Sequence, residues 1–254
     1  MNKFTLNATS QYLRGKHRGA FQRLARLKIL EYTGLFRGRV SYAQFGEDIV
    51  AASIFWYLHI DSPTYLDIGA YSPVSLSNTY YFYKRGSQGV CVEPNPASVR
   101  SFRRMRRRDH CLQAGVGVED NQNGLPFYVL KDEPLSTFDE SGAQALERNG
   151  FTKIEAVVSV PVYSVNTLIE RFCQGCPDFL SIDVEGMDLA ILQSIDFSRY
   201  RPAVICVETI EFQTQAKDTE ITNFLRSQGY RAQADTVINT LYVDTRRWEA
   251  RPTL

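Results

Sequence analysis

Residues 64–96 read TYLDIGAYSPVSLSNTYYFYKRGSQGVCVEPNP, and their pattern decides the fold. The short apolar run Tyr65-Leu66-Asp67-Ile68 stops at Gly69, as a buried strand does where it enters a tight turn. A second run, Gly89-Val90-Cys91-Val92, stops at Glu93-Pro94-Asn95-Pro96. The interval between them holds one crossover helix, so the unit is strand, loop, helix, parallel strand, with an acid at each strand end. This is half of a doubly wound nucleotide-binding α/β sheet.

The two acids indicate the ligand. A carboxylate can accept from both hydroxyls of a ribose, and Glu93 stands where the second strand delivers such a group. Asp67 and Gly69 line the first turn. The chain after Gly69 is Ala70-Tyr71-Ser72-Pro73 rather than G-x-G-x-x-G, and Pro73 lacks an amide that a pyrophosphate would use. A dinucleotide is therefore disfavoured. A nucleoside with a cationic centre and no phosphate, such as S-adenosyl-L-methionine, suits two acidic strand ends better.

Two later strands repeat the pattern. Asp178-Phe179-Leu180-Ser181-Ile182 runs into Asp183-Val184-Glu185-Gly186 and a helix from Met187, and Arg201-Pro202-Ala203-Val204-Ile205-Cys206-Val207 runs into Glu208. In a sheet of order 3-2-1-4-5 the strands ending at Asp67 and Asp183 are neighbours, which predicts that both carboxylates enter one pocket at the switch point. Asp183, Glu185 and Glu208 are the candidate catalytic acids. Asp183 and Glu208 could instead hold a divalent metal through oxygen ligands, but direct orientation of an acceptor hydroxyl is preferred, because no histidine stands at either strand end.

Elsewhere the pattern supplies scaffold. Residues 1–40 form an arm with nine Lys or Arg against the single acid Glu31, with a helix expected over 19–32. Gln44, Glu47 and Asp48 cluster where the apolar helix IVAASIFWYL begins, and helix capping accounts for one of the acids. Six arginines between Pro96 and Arg108, with Val99, Phe102 and Met105 as an apolar stripe, predict a crossover helix with a solvated basic face. His110–Ala114 is the third strand, and Gly117–Leu130 is read as a hairpin turning at Asn123-Gly124. Ser136 or Thr137 would cap the next helix, one of two equal readings of the pair. Residues 117–161 form the expected insertion, where acceptor specificity would reside. The closing strands 230–234 and 239–243 follow a helix over 218–228, the last strand being antiparallel.

With 254 residues, 44% of them hydrophobic, the chain can bury one large core, and no linker composition divides 41–254. The net charge of +1 gives no global field for nucleic acid, no apolar run reaches spanning length, and the first residues lack the apolar centre of a signal peptide. A cytoplasmic protein is expected. Cys173 and Cys176 form a C-x-x-C without a second ligand pair, so the five cysteines are read as ordinary thiols.

Taken together, DIGAYSPVSLSNTYYFYKRG, VCVEPNP, SYAQFGEDIV, FLSIDVEGMDLAIL and RPAVICVET resemble the FkbM-type S-adenosylmethionine-dependent methyltransferases, over roughly Ser41 to Asp244. The resemblance implies a class I methyltransferase (Rossmann-like) fold, a mostly parallel seven-stranded sheet here preceded by an N-terminal helical extension. It implies methylation of a hydroxyl, often on a saccharide or natural product. It also implies donor contacts at Gln44, Asp48, Asp67, Gly69, Ala70, Ser77, Asn78, Glu93, Pro94, Asn95, Gly115, Val116 and Asp183. It sets Ser136 and Thr137 close to the pocket, a reading of equal weight to the helix cap. The expected partner is a small-molecule or glycan acceptor, with a second copy of the chain as a further option. Two other classes compete: an interaction module that keeps the nucleoside-binding fold without catalysis, and a dinucleotide-dependent oxidoreductase, which would need the absent glycine-rich turn.

Overall fold

The computed structural model describes residues 38–184, 186–210 and 217–251. The helix expected over 19–32 and the candidate acid Glu185 lie outside them. The chain divides into two compact units, 1–40 and 41–254, and every element named below belongs to the second.

Helix α1 (Glu47–Tyr57) leads to β1 (Tyr65–Ile68), α2 (Tyr80–Lys84), β2 (Gly89–Val92), α3 (Pro96–Met105) and β3 (His110–Leu112). Then come β4 (Gly115–Val116), β5 (Asn121–Leu130), a 3-10 turn (Glu133–Leu135), α4 (Glu140–Arg148), β6 (Ile154–Tyr163) and α5 (Val165–Phe172). The chain continues through β7 (Phe179–Ile182), α6 (Asp188–Ser194), β8 (Val204–Glu208), α7 (Thr219–Ser227), β9 (Tyr230–Asp235), β10 (Asn239–Asp244) and α8 (Thr245–Glu249).

Seven strands form one sheet in the order β3-β2-β1-β7-β8-β10-β9. β1, β2, β3, β7 and β8 pair in parallel, and β10 runs antiparallel to both of its neighbours. This is the expected doubly wound, mostly parallel sheet of a class I methyltransferase.

Its central strands are apolar almost throughout because both faces are covered. Leu66, Ile68, Val92, Leu180, Ile182 and Val207 pack with Leu168, Ile169, Ile191 and Leu192 of α5 and α6 on one side. Tyr65, Cys91, Phe179 and Cys206, one residue out of phase, pack with Ile54, Phe55, Phe82, Val99 and Phe102 of α1, α2 and α3 on the other. All five cysteines are unpaired. Burial, with Cys176 as a lesser cause, pushes the Cys173 thiol up to about 12, which suits an inert thiol.

A second, three-stranded sheet of order β4-β6-β5 lies within residues 115–163. Here the hairpin expected at Asn123-Gly124 is corrected. β5 runs continuously through these residues and pairs with β6, with a register irregularity between Asn121 and Leu125. Gly124 sits at φ +83, and a Cβ there would meet Ser159 Oγ at 2.3 Å, so the glycine serves a close strand contact rather than a turn. The expected cap at Ser136 or Thr137 is also corrected. Asp139 caps α4, whereas Ser136 Oγ accepts from the Leu130 amide and Thr137 bridges Tyr128.

Candidate active site

Three strand ends meet at the carboxyl edge of the large sheet. Gly69 and Ala70 both donate their amides to the Val92 carbonyl, at 3.1 and 3.2 Å, and the Asp183 amide donates to Ile68 at 3.1 Å. Gly69 has φ +74, and a Cβ on it would stand 1.9 Å from the Asp183 carbonyl oxygen. Only glycine lets the β1 and β7 turns approach this closely.

Glu93 follows the last residue of β2 and is only 6% exposed. Its two oxygens accept from the backbone amides of Tyr71 (2.9 Å) and Asn95 (2.7 Å). Tyr71 adopts φ 48, a left-handed conformation that costs a non-glycine residue on the order of 1 kcal/mol and that directs its amide to the carboxylate. Burial pushes the Glu93 carboxyl up to about 7; the two amides oppose this, and the nearby charges of Glu133 and Asp67 add to it. Asn95 caps α3 by accepting from the Ala97 amide at 2.9 Å, while its Nδ2 is buried without a partner. A cavity of about 150 Å³ at the start of α3 is lined by Tyr71, Ser72, Pro73, Ala97, Ser98, Ser101 and Glu133, and neither Glu93 nor Asn95 is part of its lining.

Asp67 occupies a different place from the one expected. It is 4% exposed and in register with Cys91 and Ser181, so its carboxylate lies under the sheet on the side of α1 to α3. Thr79 Oγ1 donates to it at 2.5 Å. Arg106 then donates to Thr79 (2.9 Å), Ser77 (3.3 Å), Tyr65 (3.1 Å) and Asp109 (2.7 Å). Burial raises the Asp67 carboxyl against the pull of Arg106, Thr79 and Ser181. Asn78 Nδ2 reaches Ser181 Oγ at 3.1 Å. Asp67, Ser77 and Asn78 therefore form a buried network beneath the first turn. Asp183 is exposed at the edge above whereas Asp67 is buried, and both carboxylates stand within electrostatic reach of the buried Cys206 thiol.

Arg106 was not distinguished by sequence from its five neighbours. The expected solvated basic face holds for those five, but Arg106 follows the last residue of α3 and is fully buried. Nothing in a run of arginines marks which one leaves the helix and turns inward.

The acids ahead of β1 are likewise internal. Glu47 and Asp48 are both 0% exposed. Asp48 accepts from Ser41 Oγ (2.6 Å) and from the amides of Tyr42 (2.7 Å) and Ile49 (2.8 Å). Glu47 accepts from the Phe45 amide and, on its other oxygen, from Thr236 and Asn239, tying α1 to the β9–β10 turn. Gln44 is exposed, and Pro94 is half-buried between Glu93 and Asn95. Gly115 and Val116 form β4, with Gly115 opposite Val162.

Asp183 does not cap α6; the Val184 amide instead donates to Asp188 at 3.4 Å. Glu208 is the last residue of β8, opposite Asn239. Among the described residues no group of three His, Cys, Asp or Glu side chains could hold a metal ion, and none of the described helices is long and apolar enough to cross a membrane.

Among solved structures, a precorrin-6y C5,15-methyltransferase from Geobacter metallireducens is 14% identical, with 77% of this chain and 88% of that one covered and a TM-score of 0.41. Cofactor-bound Rv0187 from MTB is 14% identical, with 87% and 88% covered and a TM-score of 0.43. A TehB-like SAM-dependent methyltransferase from Corynebacterium glutamicum is 8% identical, with 89% and 98% covered and a TM-score of 0.41. No curated protein matches the chain. The family profile described as the Methyltransferase FkbM domain matches residues 67–232, from the buried acid of β1 to the middle of β9. With its strand ends and match in agreement over more than half its length, the chain belongs to the FkbM family of S-adenosylmethionine-dependent methyltransferases.

Proposed function

We propose that the chain methylates a hydroxyl group of a saccharide, or of a glycan or natural-product precursor, using S-adenosylmethionine. Glu93 carries the reading. Each of its oxygens accepts one backbone amide and keeps another lone-pair site for a ribose hydroxyl. Asn95 Nδ2, buried and unpartnered, is a donor that a ligand acceptor atom would satisfy. Gly69, Ala70 and Pro94 complete the donor side, with Gly115 and Val116 assigned to the adenine and Gln44 to the rim. Asp67, Ser77, Asn78 and Asp48 act by holding these turns from within.

When bound, S-adenosylmethionine supplies an already electrophilic methyl carbon. The chain's own work is to align an acceptor oxygen and exclude water. A sugar hydroxyl is a weak nucleophile near neutral pH and gains from a positioned base. In this reading Asp183 accepts the hydroxyl proton, assisted by Glu185 and Glu208, and the exposure of Asp183 beside the Gly69 turn supports the role. Residues 117–161 are assigned to acceptor choice. The unpaired thiols suit a reducing compartment, and we assign the reaction to the cytoplasm.

Calorimetric titration with S-adenosylhomocysteine tests the donor site. Micromolar-range binding is expected, weakened by roughly one to two orders of magnitude in Glu93→Ala and unchanged by a chelator. A folded protein that binds none would refute the reading.

A further inference from the structure

Residues 41–254 carry 20 Lys and Arg against 27 Asp and Glu, so outside the arm the chain is acidic on balance. Against that background, residues 96–108 hold six arginines and no acid. With Arg106 withdrawn into the core, the other five are exposed. Val99 and Phe102 turn the inner face of α3 to the sheet, leaving Arg100, Arg103 and Arg104 on the outer one, and Arg107 and Arg108 continue it past the helix end. Arg100, Arg103, Arg104 and Arg107 form no ion pair among the described residues. Arg108 lies over the Tyr83 ring at 4.1 Å.

Like charges three and four residues apart on a helix destabilise it. The cluster therefore works against folding, and a binding role accounts for it. We propose that the outer face of α3 docks on an anionic bilayer, with phospholipid phosphates as its ligands.

Three observations favour this partner. Every cation on the face is arginine, whose planar fork matches phosphate oxygens in pairs. Met105, 52% exposed, stands among them and can enter the headgroup boundary while the arginines reach outward. No aromatic side chain stands between the exposed arginines of α3 itself, and the Tyr83 ring beside the cluster is already covered by Arg108, so the face lacks the free stacking platform of a single-stranded nucleic-acid site. α3 starts directly after Glu93-Pro94-Asn95, so docking along it leaves the carboxyl edge opening beside the bilayer, near any membrane-held acceptor.

Co-sedimentation of the full chain with phosphatidylcholine vesicles, with and without phosphatidylglycerol, tests the proposal. Binding only to the anionic vesicles is expected, falling with salt. Arg107→Gln should weaken it about five-fold, and Arg103→Gln, Arg104→Gln and Arg107→Gln together about a hundred-fold. S-adenosylhomocysteine affinity should stay unchanged and the melting temperature should not fall. Because the arm is also basic, a variant with Arg14, Arg18 and Arg23 replaced by Gln is measured in parallel. Full vesicle binding by the α3 triple variant, loss of binding confined to the arm variant, or tighter binding to a duplex or single-stranded oligonucleotide than to the anionic vesicles would each overturn the proposal.

Discussion

The Asp183 carbonyl oxygen occupies the space that a side chain on residue 69 would need, 1.9 Å from an added Cβ. Gly69→Ala must therefore separate the β1 and β7 turns as well as strain a backbone at φ +74. A loss of more than about 2 kcal/mol is expected in urea denaturation, together with loss of S-adenosylhomocysteine binding. Gly46 provides the control: at φ +93 but with nothing within 4 Å, Gly46→Ala should cost only about 1 kcal/mol and spare binding.

Arg106 is the cation of a buried network containing Asp109 and, through Thr79, Asp67. Arg106→Met strands two carboxylates in the core and should cost about 3–5 kcal/mol. Adding Asp109→Asn removes one stranded charge, so the double variant should be more stable than the single one. Denaturation midpoints of the four proteins in this cycle measure the coupling, and simple additivity would count against it.

Glu93 gives opposite pH slopes for stability and for binding. Its carboxyl titrates near 7 in the fold against an ordinary 4.5, so the folded state holds the proton more tightly. Its contribution to stability is complete below pH 4.5 and declines by up to about 3 kcal/mol as pH rises to about 7. Ribose hydroxyls donating to the carboxylate favour the ionised form, so S-adenosylhomocysteine affinity should rise over the same interval, with proton release on binding below pH 7. Calorimetry in buffers of different ionisation enthalpy measures that release, and its absence would remove Glu93 from the ribose.

Asn95 separates capping from ligand binding. Asn95→Asp keeps the oxygen that caps α3 and replaces the unpartnered Nδ2 donor with an acceptor. The cap is kept, but the new carboxylate is buried beside Glu93, so the melting temperature should fall at neutral pH and recover toward acid pH, where the added group is protonated. S-adenosylhomocysteine affinity should fall about ten-fold. Unchanged affinity would mean that Nδ2 faces no ligand.

The strand ends were legible because central parallel strands are unbroken apolar runs, and Gly69, Glu93-Pro94 and Asp183 interrupt them where the chain turns. Their faces were harder to assign. Asp67 shares phase with Tyr65 and Cys91, yet its position at a strand end suggested a pocket, and only the packing of Thr79 and Arg106 fixes it below the sheet. Asn123-Gly124 is a turn or a strand irregularity depending on whether β6, more than 30 residues later, lies against it. Contacts at such separation leave no local periodicity to read.

The β4-β6-β5 sheet shares no ladder with the seven-stranded sheet and has a small core of its own around Tyr128, Leu130 and Ala143. Only its far end is independent: Val116 of β4 and Tyr163 of β6 pack against the main core, whereas Tyr128, Leu130 and Ile154 pack with α4. Substitutions in that far cluster should therefore open it locally, while substitutions at Val116 or Tyr163 reach the core that carries β1 and β7.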